Sequence, residues 1–274
     1  MPDQSELDAQ YDTSKQLPDG NVAAYFDAFE LASERARATL RVERDLRYGA
    51  HERETFDFFP AARAGAPLFV WVHGGYWRRL SKDYFSYVAA PVVAAGGAVA
   101  VLNYPLAPGP SLDAIVASVR RGYARAIDHA AQRGADRTRN FIGGHSVGAQ
   151  LAGMVLAHNA LAGALVISGL YDLEPIRRSS INQWIAMDEG SARRNSPLYL
   201  RPRTVGRLVA AVGGREQAAF ALQQKCYVAA WHAWGGAVYE IEATEHNHFT
   251  VVMELANETS PLTRGLLELM SLGV

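Results

Sequence analysis

The segment RNFIGGHSVGAQLAGMVLAHN, residues 139–159, gives the strongest indication of the fold. Residues 139–144 predict a short buried strand, and residues 147–159 predict a helix rich in small side chains. Between them, GHSVG (residues 144–148) is a G-x-S-x-G sequence. A serine at a sharp strand-to-helix turn exposes its hydroxyl at a helix N-terminus, where backbone dipoles favour negative charge. This context predicts that Ser146 is a nucleophile, and the alternative is a plain glycine-rich turn.

Strands and helices alternate along the rest of the chain. The predicted strands are residues 67–72, 97–104, 139–144, 164–170, 207–213 and 237–243, and the predicted helices are residues 82–95, 111–133, 147–159, 216–234 and 250–272. A helix near residues 22–38 and a β-hairpin over residues 40–59 come before them. This order predicts an α/β fold with a mostly parallel, doubly wound sheet and helices on both faces.

Two regions interrupt the alternation. Residues 1–66 form an N-terminal arm, and residues 174–206 form a long insertion rich in Arg, Ser and Pro. An insertion of this length in a compact domain is typical of a lid or cap over an active site. No linker or repeat divides the sequence, so residues 1–274 are expected to form one domain.

Composition and charge exclude several classes of protein. The formal net charge is −1, from 27 basic and 28 acidic residues, which argues against binding to nucleic acid. The single cysteine, Cys226, excludes an internal disulfide framework and fits a reducing compartment. The acidic, polar start is unlike a signal peptide, and two stretches without charged residues, 84–112 and 140–171, are broken by Gly, Pro, Asn or His. We expect a cytoplasmic protein without membrane contact. The sequence leaves open whether it forms a homodimer.

A second glycine-rich sequence follows the predicted strand at residues 67–72. It reads HGGYW, residues 73–77. A tetrahedral oxyanion is stabilised well by backbone N–H groups that are oriented before charge develops. We therefore expect an oxyanion hole made by the N–H groups of Gly74, Gly75 and Val147. A tight loop without this role is the alternative.

The base and its orienting acid are expected after the nucleophile in the order Ser, acid, His. His248 lies just before the last helix and is preferred over His246 as the base. The two histidines also have a spacing suited to zinc, but a third ligand is missing nearby, so no metal and no cofactor are expected. Glu216 follows the strand at residues 207–213 and is the candidate acid, unless it only caps a helix. Asp172 is the competing acid.

Aromatic side chains near the loop and the insertion are candidates for contact with a small-molecule substrate. These candidates are Tyr76, Trp77, Trp184 and Tyr199. The alternative for each is a place in the core. Two arginine pairs of the insertion, residues 177–178 and 193–194, could meet a substrate carboxylate, although such pairs are usually solvated.

Several motifs together resemble one family. The sequences HGGYW, GHSVGA, SGLYDLEPI, AVGGREQAAFALQQ and EHNHFTVV are similar to those of the arylformamidases (kynurenine formamidases) of the α/β-hydrolase family. The resemblance covers residues 9–255. It implies an α/β-hydrolase fold, a serine hydrolase with the catalytic residues Ser146, Glu216 and His248, and no metal. It also implies hydrolysis of N-formyl-L-kynurenine to formate and kynurenine in tryptophan breakdown.

One residue departs from the family pattern. Members of the family have Asp where this chain has Glu216. A glutamate can orient the histidine, but its extra methylene changes its reach to His248. Two alternatives remain: a carboxylesterase that acts on small acyl esters, and a binding protein of this fold without catalysis.

Overall fold

A computed structural model of the chain describes residues 2–17 and 20–273, and within these residues eight strands form one sheet. The strand order is β1-β2-β4-β3-β5-β6-β7-β8, with β2 antiparallel to both neighbours and all later pairs parallel. The strands are β1 (Glu43–Arg47), β2 (Thr55–Phe59), β3 (Leu68–Val72), β4 (Ala98–Leu102), β5 (Asn140–His145), β6 (Gly163–Ile167), β7 (Arg207–Gly213) and β8 (Ala237–Ala243). The predicted mostly parallel sheet, with a hairpin before it, is confirmed.

Helices cover both faces of this sheet. The α-helices are α1 (Gln4–Tyr11), α2 (Ala23–Thr39), α3 (Ala89–Ala94), α4 (Leu112–Gln132), α5 (Val147–Leu156), α6 (Glu174–Arg177), α7 (Asn182–Ile185), α8 (Glu189–Arg194), α9 (Ala218–Ala233), α10 (Thr250–Met253) and α11 (Pro261–Leu269). Short 3-10 helices lie at Thr13–Gln16, Lys82–Tyr84, Ser86–Val88, Pro197–Tyr199 and Glu254–Ala256.

Alternate side chains of the central strands build two separate cores. Leu68, Val70 and Val72 of β3 pack on one face, in the core that includes α4, α5 and α9. Phe69 and Trp71 of the same strand pack on the other face, with α2, α3 and α11. A strand buried on both faces needs apolar side chains at every position, which is why these segments read as continuous apolar runs.

Two predicted helices are wrong in detail. The predicted helix over residues 250–272 is three shorter elements, α10, a 3-10 turn and α11. Ser260 accepts the Thr263 N–H at 3.0 Å as an N-cap and Pro261 occupies the first turn, so a new helix begins there. Residues 82–95 are likewise two 3-10 turns followed by the short α3.

The strand register brings the candidate residues to one edge of the sheet. Val72 of β3 lies beside Gly144 of β5, and Gly213 of β7 lies beside Ala243 of β8. Because the carboxyl ends of parallel strands meet at the same edge, the loops after these four strands lie close together. This edge is where ligands bind in open α/β sheets.

The N-terminal arm and the insertion both lie near this edge. The insertion, residues 174–206, holds the short helices α6, α7 and α8, and α1 contacts both α6 and α9. The Ser180 N–H donates to Asp8 of α1 at 2.6 Å, so arm and insertion are joined directly. In the part of the chain that the structure describes, no helix combines the length and the apolar character that crossing a membrane requires.

Candidate active site

Ser146 occupies the sharp turn between β5 and α5. Its backbone has φ 58° and ψ −125°, a conformation that side-chain-bearing residues rarely adopt and that is typical of functional sites. The Ser146 N–H donates to the Ile167 carbonyl of β6 at 2.8 Å, which fixes the turn to the sheet.

Flanking glycines make this turn sterically feasible. A Cβ on Gly144 would lie 2.3 Å from the Gly148 carbonyl, and a Cβ on Gly148 would lie 2.1 Å from the Val72 carbonyl. Only glycine allows α5 to approach β3 this closely. The G-x-S-x-G spacing therefore has a packing reason in this chain.

The loop after β3 lies directly beside Ser146. A Cβ on Gly74 would be 3.2 Å from the Ser146 Cβ and 2.9 Å from the His145 carbonyl. The N–H groups of Gly74, Gly75 and Val147 donate to no acceptor within residues 2–17 and 20–273. Three unused N–H groups near a serine hydroxyl are an arrangement that can stabilise an oxyanion.

His73 and its neighbours hold this loop in place. The His73 ring is fully buried and stacks on Tyr104 at a centroid distance of 4.2 Å, and the Tyr104 hydroxyl donates to the His73 carbonyl at 2.8 Å. Burial lowers the pKa of His73 to about 3, so its ring is neutral at physiological pH. His73 supports the loop by packing.

Glu216 and His248 are in direct contact. The His248 Nδ1 lies 2.5 Å from the Glu216 Oε2, and the two side chains are only 4% and 1% exposed. The other carboxylate oxygen, Oε1, accepts the Ser168 hydroxyl at 2.5 Å and the Gly213 N–H at 2.6 Å. The carboxylate is therefore fixed at both oxygens and can orient the imidazole, and the longer side chain of Glu reaches His248 in this structure.

Ser146 and His248 line the same cavity, but they are not joined by a hydrogen bond. Within the described residues, neither the Ser146 hydroxyl nor the His248 Nε2 has a hydrogen-bond partner. Catalytic hydrogen bonds are often long in structures without substrate and tighten when it binds. The side chains of Ser146, Glu216 and His248 thus come from three loops at one edge of the sheet.

His145, next to the serine, is a buried neutral ring. Burial lowers its pKa well below the ordinary range, and the nearby His248 lowers it further. The two rings lie 4.5 Å apart between centroids. A neutral His145 adds no positive charge beside His248.

The competing candidates lie elsewhere. His246 faces Glu254, with 3.9 Å between Nε2 and Oε1. Asp172 accepts the Tyr199 hydroxyl at 3.0 Å and the Glu174 N–H at 3.0 Å, as a turn residue would.

A cavity of about 460 Å³ opens in front of Ser146 and His248. This volume is in the range of small-molecule sites. Its apolar lining residues are Val22, Phe26, Phe29, Leu80, Ile181 and Phe249. They come from the N-terminal arm, the loop after β3, the insertion and the residue after His248, so the cavity depends on all four segments.

Of the four aromatic residues expected at the substrate, the structure brings only Tyr76 to this cavity. Trp77 is fully buried and donates from Nε1 to the Gln150 Oε1 at 3.0 Å, so it anchors the loop to α5. Trp184 and Tyr199 are 40% and 41% exposed and carry arginine side chains on their rings. The expectation that Trp77, Trp184 and Tyr199 line the substrate site is therefore wrong for this cavity, although Trp184 packs against Arg78, which does line it.

The two arginine pairs of the insertion, residues 177–178 and 193–194, are also absent from the cavity lining. Arg177 pairs with Glu174, Arg194 pairs with Asp113, and Arg193 lies over a tyrosine ring at 3.7 Å. The cations that do line the cavity are Arg78 and Arg79.

Sequence reasoning missed Ser168, Arg78 and Asp8. Ser168 comes directly after β6 and Arg78 directly after HGGYW, so position at a strand end or beside a glycine motif could have indicated both. Asp8 lies 138 residues before Ser146 (146 − 8), and its position at the cavity follows from tertiary contacts alone.

Known proteins are similar to this chain in sequence and in fold. A family model described as the alpha/beta hydrolase fold matches residues 69–251. Kynurenine formamidase of Danio rerio is 32% identical over 97% of this chain and 96% of its own length, and that of Salmo salar is 30% identical over the same shares. A solved structure from Silicibacter sp., described as a candidate thioesterase, has a TM-score of 0.84 at 30% identity and covers 94% of this chain and 98% of its own.

An esterase from Mycobacterium marinum has a TM-score of 0.71 at 16% identity, covers 90% of this chain and 85% of its own, and supports the fold alone. The family match covers more than half of the chain, and two relatives at 30% identity or more span nearly all of it. The chain is therefore a hydrolase of the α/β-hydrolase family, and it is similar over nearly its whole length to the kynurenine formamidases of that family.

Proposed function

We propose that this hydrolase removes a formyl group from an aromatic amide and that its substrate is N-formyl-L-kynurenine, which gives formate and kynurenine. The observation that carries the proposal is the contact of Glu216 with His248, which lines the same cavity as Ser146, and aromatic side chains also line this cavity. Similarity to the two fish kynurenine formamidases supports the choice of substrate.

In the proposed mechanism, the Ser146 Oγ attacks the formyl carbon and its proton passes to the His248 Nε2. The Glu216 carboxylate accepts a hydrogen bond from the His248 Nδ1–H, stays ionised, and stabilises the imidazolium that forms. The N–H groups of Gly74, Gly75 and Val147 stabilise the oxyanion of the tetrahedral intermediate.

The C–N bond then breaks, and His248 returns the proton to the leaving aniline nitrogen. The formyl group remains as an ester on the Ser146 oxygen. Water attacks this ester as His248 takes a proton from it. The C–O bond to Ser146 then breaks, His248 gives the proton to the Ser146 oxygen, and the product leaves and ionises to formate.

The cavity lining supports an aromatic leaving group. Phe26 and Phe249 form an edge-to-face pair with centroids 6.0 Å apart, and Phe249 directly follows the proposed base. Aromatic side chains bind an aryl ring in such edge-to-face or offset geometries. A formyl group places only one hydrogen on the acyl side, so most of the substrate lies on the leaving-group side.

Purified protein tests the proposal directly. N-formyl-L-kynurenine and 4-nitrophenyl acetate should be compared by kcat/KM, with the Ser146→Ala variant as the matched control. We expect turnover of the formamide, a loss on the order of 10⁴–10⁶ in kcat for the variant, and fluorophosphonate labelling of the wild type only.

A second candidate is a carboxylesterase or thioesterase, since the same atoms attack an ester and one solved structure at 30% identity is described as a candidate thioesterase. Ester turnover without formamide turnover would support this second candidate and contradict the first. A wild type that the fluorophosphonate does not label would instead support a binding protein without catalysis.

A further inference from the structure

Two cavity-lining side chains of opposite charge, Arg78 and Asp8, are not paired with each other. Both line the cavity that contains Ser146. No ion pair joins them, and Arg78 forms none with any acidic residue among residues 2–17 and 20–273. A cation and an anion held apart in one cavity are suited to a ligand that carries both charges.

Arg78 is held in position by its surroundings. It follows Gly75 by three residues, and its N–H donates to the Gly75 carbonyl at 3.1 Å, so its backbone is tied to the proposed oxyanion loop. Its guanidinium lies over the Trp184 ring, 4.7 Å from the centroid. A guanidinium presents its N–H donors as a planar fork that binds carboxylates in a bidentate manner.

Asp8 is fixed by the contact between arm and insertion. Its Oδ1 accepts the Ser180 N–H at 2.6 Å, while its Oδ2 has no donor among the described residues. Buried Leu7 and Tyr11 anchor the same helix, and the Tyr76 hydroxyl donates to the Tyr11 carbonyl at 2.7 Å. The free carboxylate oxygen is therefore available to a cationic group in the cavity.

We propose that Arg78 and Asp8 bind the amino-acid end of the substrate, Arg78 its α-carboxylate and Asp8 its α-ammonium. This proposal rests on the function proposed above and adds its specificity: an aryl amide attached to a zwitterionic α-amino acid. Trp184 acts as a positioning residue, through Arg78. The apolar part of the cavity holds the aryl ring between this charged end and Ser146.

Neighbouring residues of the same charge provide matched controls. Arg79 also lines the cavity, but it is exposed and stacks on no ring among the described residues. Asp12 also lines it, but its Oδ1 accepts both the N–H and the hydroxyl of Ser14 and its side chain is exposed. Arg79→Gln and Asp12→Asn therefore change net charge in the same way without removing the two proposed contacts.

The test uses four formamides that differ only in the charged groups. They are N-formyl-L-kynurenine, 4-(2-formamidophenyl)-4-oxobutanoate without the amine, 3-amino-1-(2-formamidophenyl)propan-1-one without the carboxylate, and 1-(2-formamidophenyl)propan-1-one without either. For each variant, kcat/KM of the substrate that carries a charged group is divided by kcat/KM of the matched substrate that lacks this group alone. The carboxylate ratio refers to the carboxylate, and the ammonium ratio refers to the amine. These ratios cancel any general loss of activity in a variant.

For Arg78→Gln, we expect the carboxylate ratio to fall on the order of 10- to 100-fold, as for loss of a charged hydrogen bond. For Asp8→Asn, the ammonium ratio should fall by a similar factor, because Asn retains an acceptor for Ser180 and keeps the arm docked. Arg79→Gln and Asp12→Asn should leave both ratios close to those of the wild type.

Unchanged ratios in Arg78→Gln and Asp8→Asn would overturn the proposal. So would ratios that fall equally in the control variants, since net charge alone would then explain them. If the wild type hydrolyses esters but no formamide, the proposed function fails. The role of Arg78 can then still be tested with two esters that differ by one carboxylate, 3-acetoxybenzoate and phenyl acetate. A carboxylate ratio that falls in Arg78→Gln on this pair would support the role of Arg78 independently.

Discussion

Replacement of Glu216 by Gln tests the proposed mechanism most directly. Gln has the same shape and removes only the charge. In the structure, Oε1 accepts hydrogen bonds from Ser168 and from the Gly213 N–H, at 2.5 and 2.6 Å. The introduced amide oxygen should occupy this position, because the reverse orientation would set an NH2 group against the Gly213 N–H, which can only donate.

The orientation of the amide determines the effect. An unmade hydrogen bond of a buried group costs about 1–3 kcal/mol, so the reverse orientation, which leaves the Gly213 N–H without an acceptor, costs about that much. With the oxygen held there, the NH2 group faces the His248 Nδ1 and donates to it. His248 must then carry its proton on Nε2, where it cannot accept the Ser146 proton. An acid-to-amide change of this kind in a serine protease lowers kcat by about 10⁴, or about 5.5 kcal/mol, and we expect about 10³–10⁴ for Glu216→Gln.

The assay is kcat for 4-nitrophenyl acetate and for N-formyl-L-kynurenine, with thermal unfolding to verify the fold. Glu216→Asp retains the charge but shortens the side chain, and a displacement of about 1 Å should cost up to about 10² in kcat. Asp172→Asn is the control and should stay near wild type, since Asp172 contacts Tyr199 and Glu174 rather than His248. A loss in kcat of less than about tenfold in Glu216→Gln would refute the reasoning, and so would a loss of more than about tenfold in Asp172→Asn.

Three further results are expected. Gly74→Ala should lower kcat by about 10²–10³ with little change in KM, because its Cβ would crowd the Ser146 Cβ and displace an oxyanion donor; a near-normal kcat would argue against that loop. Stability should fall as the pH drops from about 6.5 toward 3, because unfolded His73 binds a proton that the folded ring, with a pKa of about 3, does not. Urea unfolding at several pH values gives the free energy of unfolding as a function of pH. In His73→Gln the slope of this plot should be shallower by about 1.4 kcal/mol per pH unit, and an unchanged slope would contradict a buried neutral ring at His73. Trp184→Leu should lower the carboxylate ratio about two- to fivefold while Trp184→Phe retains it, as expected if the ring positions Arg78 by a cation–π contact.

Much of the fold could be predicted because the information is local. Apolar runs predict buried strands, amphipathic spacing predicts α4, and the right-handed β-α-β connection leaves few topologies to consider. The end of the chain was less predictable. Ser260 and Pro261 begin a new helix where the apolar pattern continues, so periodicity alone suggested one long helix.

The meeting of Ser146, Glu216 and His248 also followed from order along the chain. Each comes just after a parallel strand, and the carboxyl ends of such strands share one edge. The sequence did not decide whether Glu216 or Asp172 contacts His248. Packing decides it, since Ser168 and Gly213 hold the Glu216 carboxylate toward His248.

The cavity wall was decided by tertiary structure alone. The backbone at Trp77 has φ 57°, which turns its ring into the core toward Gln150, while Arg78, the next residue, lines the cavity. Asp8 reaches the cavity only because α1 docks on the insertion. Sequence patterns report the burial of an element's face, whereas the direction of a loop side chain depends on contacts between segments far apart in the chain. The amino acids alone therefore determined the sheet and the sharp turn that carries Ser146, and long-range packing determined which side chains line the cavity.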